Sequence, residues 1–371
     1  MIGTNILLLL SLLLGAGASA SDNFNPRDYP KQVAACKAVN RAEGKDVDIE
    51  IHYVDINPKA EKTLLMVHGW PSLWSSWKYQ IQEFKFCTAK NDYRLLIPDL
   101  RGFGSSTHPG DVKSSGNMAD MVSDMICVLD NAKVETAICV GHDWGAQICY
   151  EAGRTRPDVF EAVVGVAIPY IPAAGPFMPT EALLEHLPRL SYQLFFDKKT
   201  SDAVDELAKD IRRTLRGTLR TADSAPPDAF LTHTDSFLKG WDDTEEIDPI
   251  PFFSPDEEDY WVEQYGIQAF KNTLQFYTDE NRHASWKIAN EQGNHSIPQP
   301  VLSVLPTKDP VADWVLAAKL LRSADYLPNL TTETLHGAHW VHMENPVEFN
   351  KIMRAWLDGL SDHKERSRDE L

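Results

Sequence analysis

Val47, Ile49, Ile51 and Tyr53 alternate with polar neighbours, the two-residue period of a strand with one buried face, and Pro58 ends the segment. The pattern predicts an edge hairpin at the start of the fold. Beyond it, alternation gives way to continuous apolar runs at 64–67, 95–97, 137–140 and 162–167, each followed by a turn carrying Gly or Pro. Runs of this kind are expected of strands buried on both faces. Between them the period lengthens: within 118–129, Met121, Val122, Met125, Ile126 and Leu129 recur at three- and four-residue steps, as on the inner face of a helix. Strands and helices in alternation predict an α/β protein whose mostly parallel central sheet is covered on both sides.

From 171 to 286 the strand runs stop, and helical spacing with aromatic clusters takes over, broken by a turn-rich stretch at 241–256. This reads as a helical cap inserted into the first domain. Apolar runs resume at 300–305 and 332–336, and an amphipathic helix over 346–360 closes the pattern. The expected organisation is therefore a core over 21–170, a cap over 171–286, a second part of the core over 287–360, and a charged tail over 361–371. The tail, almost wholly polar, is expected to be mobile.

The ends add a destination. Residues 1–20 carry no charge, run apolar over 6–14 and finish in Ala18-Ser19-Ala20, the form of a secretory signal peptide cut before Ser21. No later run approaches the roughly 18 apolar residues of a spanning helix, so no transmembrane anchor is expected. Arg368-Asp369-Glu370-Leu371 differs from the KDEL-type signal by one basic exchange, which predicts a retrieval receptor as partner and residence in the lumen of the endoplasmic reticulum. In that compartment Asn294 and Asn329, each heading an Asn-x-Ser/Thr sequon, become candidate glycosylation sites.

A formal charge of −18 opposes binding to nucleic acid or to anionic membranes, and fits a small neutral substrate better. Five cysteines, none in a Cys-x-x-Cys pair, give no sign of zinc or of a dithiol redox centre. Cys127, Cys139 and Cys149 lie in apolar patterns and read as buried thiols. Cys36 and Cys87 remain as a candidate bridge in an oxidising lumen.

The chemistry concentrates at Gly141-His142-Asp143-Trp144-Gly145, which follows one buried strand and opens the helical pattern of 146–152. Small residues on either side of a central side chain permit the sharp strand-to-helix turn of a nucleophile elbow. Here the raised side chain is a carboxylate, ionised at neutral pH and able to displace a leaving group from saturated carbon without a base. The product is an ester of Asp143, so a second step needs activated water and an oxyanion hole.

His68-Gly69-Trp70-Pro71 ends the strand at 64–67 and can set the Trp70 N–H beside that of Trp144 as the oxyanion hole, with a cis Trp70–Pro71 bond as one means of aiming it. His339, in the loop after the last strand, is the candidate base, with His336 and His342 as competitors. Asp309, just beyond the strand at 301–305, is the candidate orienting acid, with Asp313 as runner-up. The side chains suffice for such a reaction, and no metal or organic cofactor is implied.

His68-Gly69-Trp70-Pro71, Asp99-Leu100-Arg101-Gly102-Phe103-Gly104-Ser105-Ser106, the aspartate elbow and the His339-Trp340 loop, in this order and spacing, resemble the epoxide hydrolase branch of the α/β-hydrolase family, of the soluble epoxide hydrolase type. The likeness covers nearly all of the chain after the signal. It implies an α/β-hydrolase fold with a cap and conversion of a lipophilic epoxide to a vicinal diol. It also implies that cap tyrosines protonate the opening epoxide: Tyr192 matches the family's first and Tyr277 the second, with Tyr170, Tyr260 and Tyr265 as substitutes. Dehalogenases share the aspartate elbow but usually carry asparagine where this chain has Trp70. They are the alternative, followed by a non-catalytic binding protein on the same scaffold.

Overall fold

Eight strands are formed: β1 (Lys31–Asn40), β2 (Lys45–Ile56), β3 (Lys62–Val67), β4 (Tyr93–Pro98), β5 (Ala137–His142), β6 (Phe160–Val166), β7 (Val301–Pro306) and β8 (Leu330–Leu335). The structure is a computed structural model describing residues 24–85 and 93–369, with side chains described to Leu360. The expected signal peptide, Cys87, and Glu370 and Leu371 of the expected retrieval signal lie outside the described residues.

The strands join one sheet in the order β1-β2-β4-β3-β5-β6-β7-β8. β1 and β2 form the expected edge hairpin, with Lys31 opposite Val54, and β2 runs antiparallel to β4. All later pairings are parallel. β1 gave no clear apolar signal because its inward positions are Ala34, Cys36, Ala38 and Asn40, residues too small or too polar to register as a hydrophobic alternation. β5 sits mid-sheet with every residue buried, which explains its unbroken apolar run up to Gly141.

Helix α1 (Met118–Ala132) starts at a reciprocal capping box between Asn117 and Asp120 and buries Met121, Val122, Met125, Val128 and Leu129. Helix α2 (Trp144–Thr155) follows β5 directly. Between β6 and β7 the chain adds no strand to the sheet and runs instead through short helices that include α3 (Ser191–Lys198), α4 (Pro255–Gln268) and α5 (Asp279–Gln292). This helical layer is fastened to the core by buried polar contacts. The Lys78 ammonium pairs with Glu257 at 2.7 Å, the Trp74 indole donates to the Tyr260 hydroxyl at 2.8 Å, and the Gln275 amide donates to the Arg101 carbonyl at 2.9 Å. Such contacts replace the water each group loses, so they fix where the helices sit.

The Asp99–Ser106 motif serves this anchoring. Asp99 accepts from the Trp74 N–H (2.9 Å) and from Lys31 (2.6 Å), while the buried Arg101 grips Asp124 of α1 with two nitrogens at 2.6 and 2.7 Å.

Three expectations are corrected. Cys36 is disulfide-bonded to Cys127, tying the edge strand β1 to α1, so it is not available to Cys87. Cys139 and Cys149 form a second disulfide, joining β5 to α2; with Cys127 these are half-cystines rather than free buried thiols. Burial pattern locates a cysteine in the core but cannot name the residue facing it. Finally, helix α6 (Pro346–Asp369) continues beyond Leu360, through the segment expected as a mobile tail. Residues 361–369 contain neither Gly nor Pro, so no strong helix breaker stops the helix once the apolar spacing has started it. Among the described residues no helix is long and apolar enough to cross a membrane.

The Cys36–Cys127 bridge spans 91 residues of sequence, so opening it releases much denatured-state entropy. The double change Cys36→Ala, Cys127→Ala should lower unfolding stability by about 2–4 kcal/mol in urea titration. An unchanged midpoint would remove the bridge's stabilising role.

Candidate active site

Asp143 occupies the bend between β5 and α2 with φ 56° and ψ −124°, a backbone region that a non-glycine residue adopts only when its surroundings compel it. The compulsion comes from close packing of main chain. A Cβ on Gly141 would run into the Gly145 carbonyl, one on Gly145 into the Val67 carbonyl of β3, and one on Gly69 into the Asp143 carboxylate itself. The glycines thus let β3 approach the elbow closely enough for main chain to reach the nucleophile.

One amide does so. The Trp70 N–H donates to Asp143 Oδ1 at 2.8 Å, from a loop whose Trp70–Pro71 peptide is cis as expected. Trp144 is the first residue of α2, which sets its amide at the positive end of a helix immediately after the nucleophile. The other carboxylate oxygen, Oδ2, lies 3.3 Å from His339 Nε2, and His339 Nδ1 lies 2.6 Å from Asp309 Oδ2. Asp309 is fixed in turn by the Val311 N–H at 2.8 Å and the Trp314 indole N–H at 2.7 Å. Three side chains from the loops after β5, β7 and β8 therefore form one buried line.

The electrostatics follow from this line. Burial opposes charge on His339, but Asp309 and Asp143 outweigh it and raise the imidazole pKa to about 10. Burial likewise opposes charge on Asp143, and contact with His339, with the Trp70 N–H adding to it, holds the carboxyl below its ordinary range. The resting arrangement is one imidazolium shared between two carboxylates.

His336 and His342, the competitors for the base, sit elsewhere. His336 is exposed just past β8, and His342 is wholly buried behind the site, 4.4 Å ring to ring from His142. Burial first, then the neighbouring imidazoles His142 and His339, push the His342 pKa well down. Asp313 caps a different helix by accepting from the Leu316 N–H at 2.9 Å.

Tyr192 on α3 and Tyr277, at the end of the 3-10 turn Thr273–Tyr277, are both buried and pack ring to ring at 5.6 Å. Both line the same cavity as Asp143 and His339, a space of about 60 Å³ walled by Trp70, Trp144 and Phe237 among others. Burial, assisted by the Asp143 charge, raises both phenol pKa values, so both stay protonated. The substitutes are occupied differently: the Tyr170 hydroxyl donates to the His295 carbonyl, Tyr260 accepts from Trp74, and Tyr265 donates to the Ser72 carbonyl.

Several lining residues carried no signal in the sequence. Trp314, which grips Asp309, looks like any apolar residue at a helix start. Phe230, Leu231 and Phe237 come from an irregular stretch without periodicity. Within the elbow motif, His142 has a role that only packing shows: its Nε2 faces the His339 carbonyl at 2.9 Å, which requires the proton on that nitrogen and ties the elbow to the histidine loop.

Residues 62–346 match the family model described as alpha/beta hydrolase fold. The chain is 27% identical over 320 residues to epoxide hydrolase A of Mycobacterium tuberculosis, covering 84% of this chain and 95% of that one. It is 26% identical over 313 residues to the rat (Rattus norvegicus) bifunctional epoxide hydrolase 2, covering 83% of this chain but 53% of the relative, so it spans about half the length of that protein. Among solved structures, an epoxide hydrolase from an endophytic Streptomyces superposes with a TM-score of 0.72 at 26% identity, over 90% of this chain and 96% of the other. With its mostly parallel sheet, its sharp strand-to-helix bend at Asp143 and a family match over most of its length, this chain belongs to the alpha/beta hydrolase fold family.

Proposed function

We propose that the protein is an epoxide hydrolase that opens a lipophilic epoxide to a vicinal diol through a covalent ester of Asp143. The observation that carries this reading is the pairing, across one cavity, of an ionised carboxylate with two protonated phenols. The names of the similar proteins point the same way.

In the first step an Asp143 oxygen attacks an epoxide carbon, the carbon–oxygen bond of the ring breaks, and the released alkoxide takes a proton from Tyr192 or Tyr277. Forming the ester abolishes the Asp143 charge. One of the two carboxylates that hold His339 cationic is then gone, so the imidazolium gives up its proton more readily; passing it to the tyrosinate left by the first step restores the phenol and leaves His339 neutral at the moment a base is needed. Supported by Asp309, His339 takes one proton from water, whose oxygen attacks the ester carbonyl; the Trp70 and Trp144 amides stabilise the oxyanion, which collapses with cleavage of the ester carbon–oxygen bond, and the departing alkoxide takes the remaining proton of the added water, so that the diol leaves and the Asp143 carboxylate and His339 imidazolium are restored.

The dehalogenase alternative needs indole N–H groups free to cradle a halide. The Trp70 indole is instead committed to the Thr273 hydroxyl at 3.1 Å, which weighs for the epoxide.

We also propose residence in the lumen of the endoplasmic reticulum, entered by the signal peptide and maintained by a retrieval receptor reading 368–371. Two disulfides favour an oxidising compartment. Of the two sequons, the Asn294 side chain is exposed, whereas the Asn329 amide nitrogen that a glycan would need donates to the Pro298 carbonyl at 2.7 Å. Asn294 is therefore the better acceptor.

His339→Gln should stop ester hydrolysis but not ester formation, so mass spectrometry under turnover should find Asp143 carrying one substrate mass; unmodified protein alongside substrate consumption would exclude the covalent route. Tyr192→Phe with Tyr277→Phe should reduce diol formation at least about a hundredfold, in line with loss of general acid catalysis, and undiminished turnover would unseat both phenols. Removal of 368–371 should send the protein to the medium with a glycan on Asn294, detectable by a deglycosylation mobility shift; continued lumenal retention would refute the retrieval assignment.

A further inference from the structure

Two proton donors can serve one oxygen only while the segments that carry them keep their spacing. Tyr192 is on α3, and Tyr277 ends the turn that leads into α5. The chain between them runs through residues 193–276, so that spacing has to come from a tertiary contact.

The contact lies just beyond both phenols. α5 begins without a cap of its own: the Thr278 side chain makes no bond to the first amides of the helix, and its hydroxyl donates to the Lys113 carbonyl at 2.9 Å. The Asp279 N–H, the first amide of α5, donates instead to Asp197 Oδ1 at 2.9 Å, in the last turn of α3. One helix therefore supplies an N-terminal acceptor for the other. Asp197 stands five residues past Tyr192, and Asp279 two residues past Tyr277. Along a helix axis the first of these steps is only about 7.5 Å, so a shift of α5 against α3 is felt directly at the phenols.

The surroundings suit Asp197 to this task. Its side chain is buried, and its second oxygen, Oδ2, pairs at 2.9 Å with the Lys198 ammonium, which also reaches Asp279 Oδ2 at 2.9 Å. From the core, the Lys113 ammonium approaches Asp197 Oδ1 to 3.7 Å and donates to the Asp197 carbonyl. Burial opposes charge on the Asp197 carboxyl, but Lys198, the Asp279 amide and Lys113 outweigh it and hold the group below its ordinary range. The acceptor thus stays ionised, and a carboxylate facing the positive end of a helix makes one of the stronger single hydrogen bonds.

We infer that Asp197 is a positioning residue for ring opening: by capping α5 from α3 it sets the spacing of the Tyr192 and Tyr277 hydroxyls, and it acts through them rather than on the substrate. For its kinetic consequence this rests on the epoxide hydrolase reading, whereas the clamp itself does not. Misplacing a reacting group by about 1 Å can cost up to about a hundredfold in rate, and only the first step uses the two phenols as acids. The ester hydrolysis that follows is carried by His339 and water.

The test separates the steps. In the His339→Gln background, where the ester accumulates, Asp197→Ala should slow ester formation on Asp143 about tenfold by quenched mass spectrometry, the scale of one charge-assisted hydrogen bond. With His339 intact, decay of the ester should keep its rate, and Asp197→Asn, which retains an acceptor, should recover most of the loss. Asp279→Pro removes the donor from the other side. Proline suits the first position of a helix, and Thr278 before it is already extended at ψ 133°, so this variant carries the experiment if Asp197→Ala does not fold. It should match Asp197→Ala, whereas Asp279→Ala, which keeps its N–H, should cost much less. Hydrogen exchange at the Asp279 amide should quicken at least about tenfold in Asp197→Ala. Ester formation at the unaltered rate in Asp197→Ala or Asp279→Pro, equal slowing of both steps, or unchanged exchange would each overturn the assignment. Turnover of a neutral epoxide by the unaltered chain decides the reaction itself, and the exchange comparison decides the clamp whichever way that falls.

Discussion

The site depends on keeping one carboxylate ionised where little water reaches it. Asp143 is 5% exposed, and a charge so placed persists only if protein groups replace its hydration. The Trp70 amide and the His339 imidazolium do this, but the imidazolium is itself a buried charge and needs Asp309. Asp309 in turn needs the Val311 amide and the Trp314 indole. Each partner solves the solvation problem of the one before, so losing any of them leaves the next uncompensated. Breaking a buried pair of this kind typically costs about 3–5 kcal/mol.

Such a line can be assembled only if the loops that supply it arrive together, which is what the parallel sheet provides. β3, β5, β7 and β8 all end on the same side, and the strand order sets Trp70, Asp143, Asp309 and His339 at neighbouring positions there. The glycines at 69, 141 and 145 remove the side chains that would hold β3 and α2 apart at the elbow. The disulfide between Cys139 and Cys149 then joins the strand before the bend to the helix after it, which limits how far the strained Asp143 backbone can relax.

The helical layer contributes differently. Its aromatic rings close the cavity and its two phenols face the nucleophile, while buried contacts from Lys78, Trp74 and Gln275 hold it against the loops after β3 and β4. The core supplies Asp143, Asp309 and His339, and the helical layer brings Tyr192 and Tyr277 to the same cavity.

The sequence by itself determined the features that arise within a few residues. The two-residue period named the edge strand β2, continuous apolar runs named the central strands, the three-to-four-residue period named α1, and the small residues around Asp143 named the bend that raises its carboxylate. Tertiary structure decided which residues far apart in the chain meet. It paired Cys36 with Cys127 rather than with Cys87, brought Tyr192 and Tyr277 among five tyrosines to the cavity, and gave Asp309 its Trp314 clamp. It also revealed β1, whose small inward residues carry little hydrophobic contrast, and extended α6 beyond its apolar face. The reason is the range of the forces concerned. Backbone sterics and hydrophobic period act over one or two turns of chain, whereas a disulfide partner or a hydrogen bond across layers depends on distances that only packing sets.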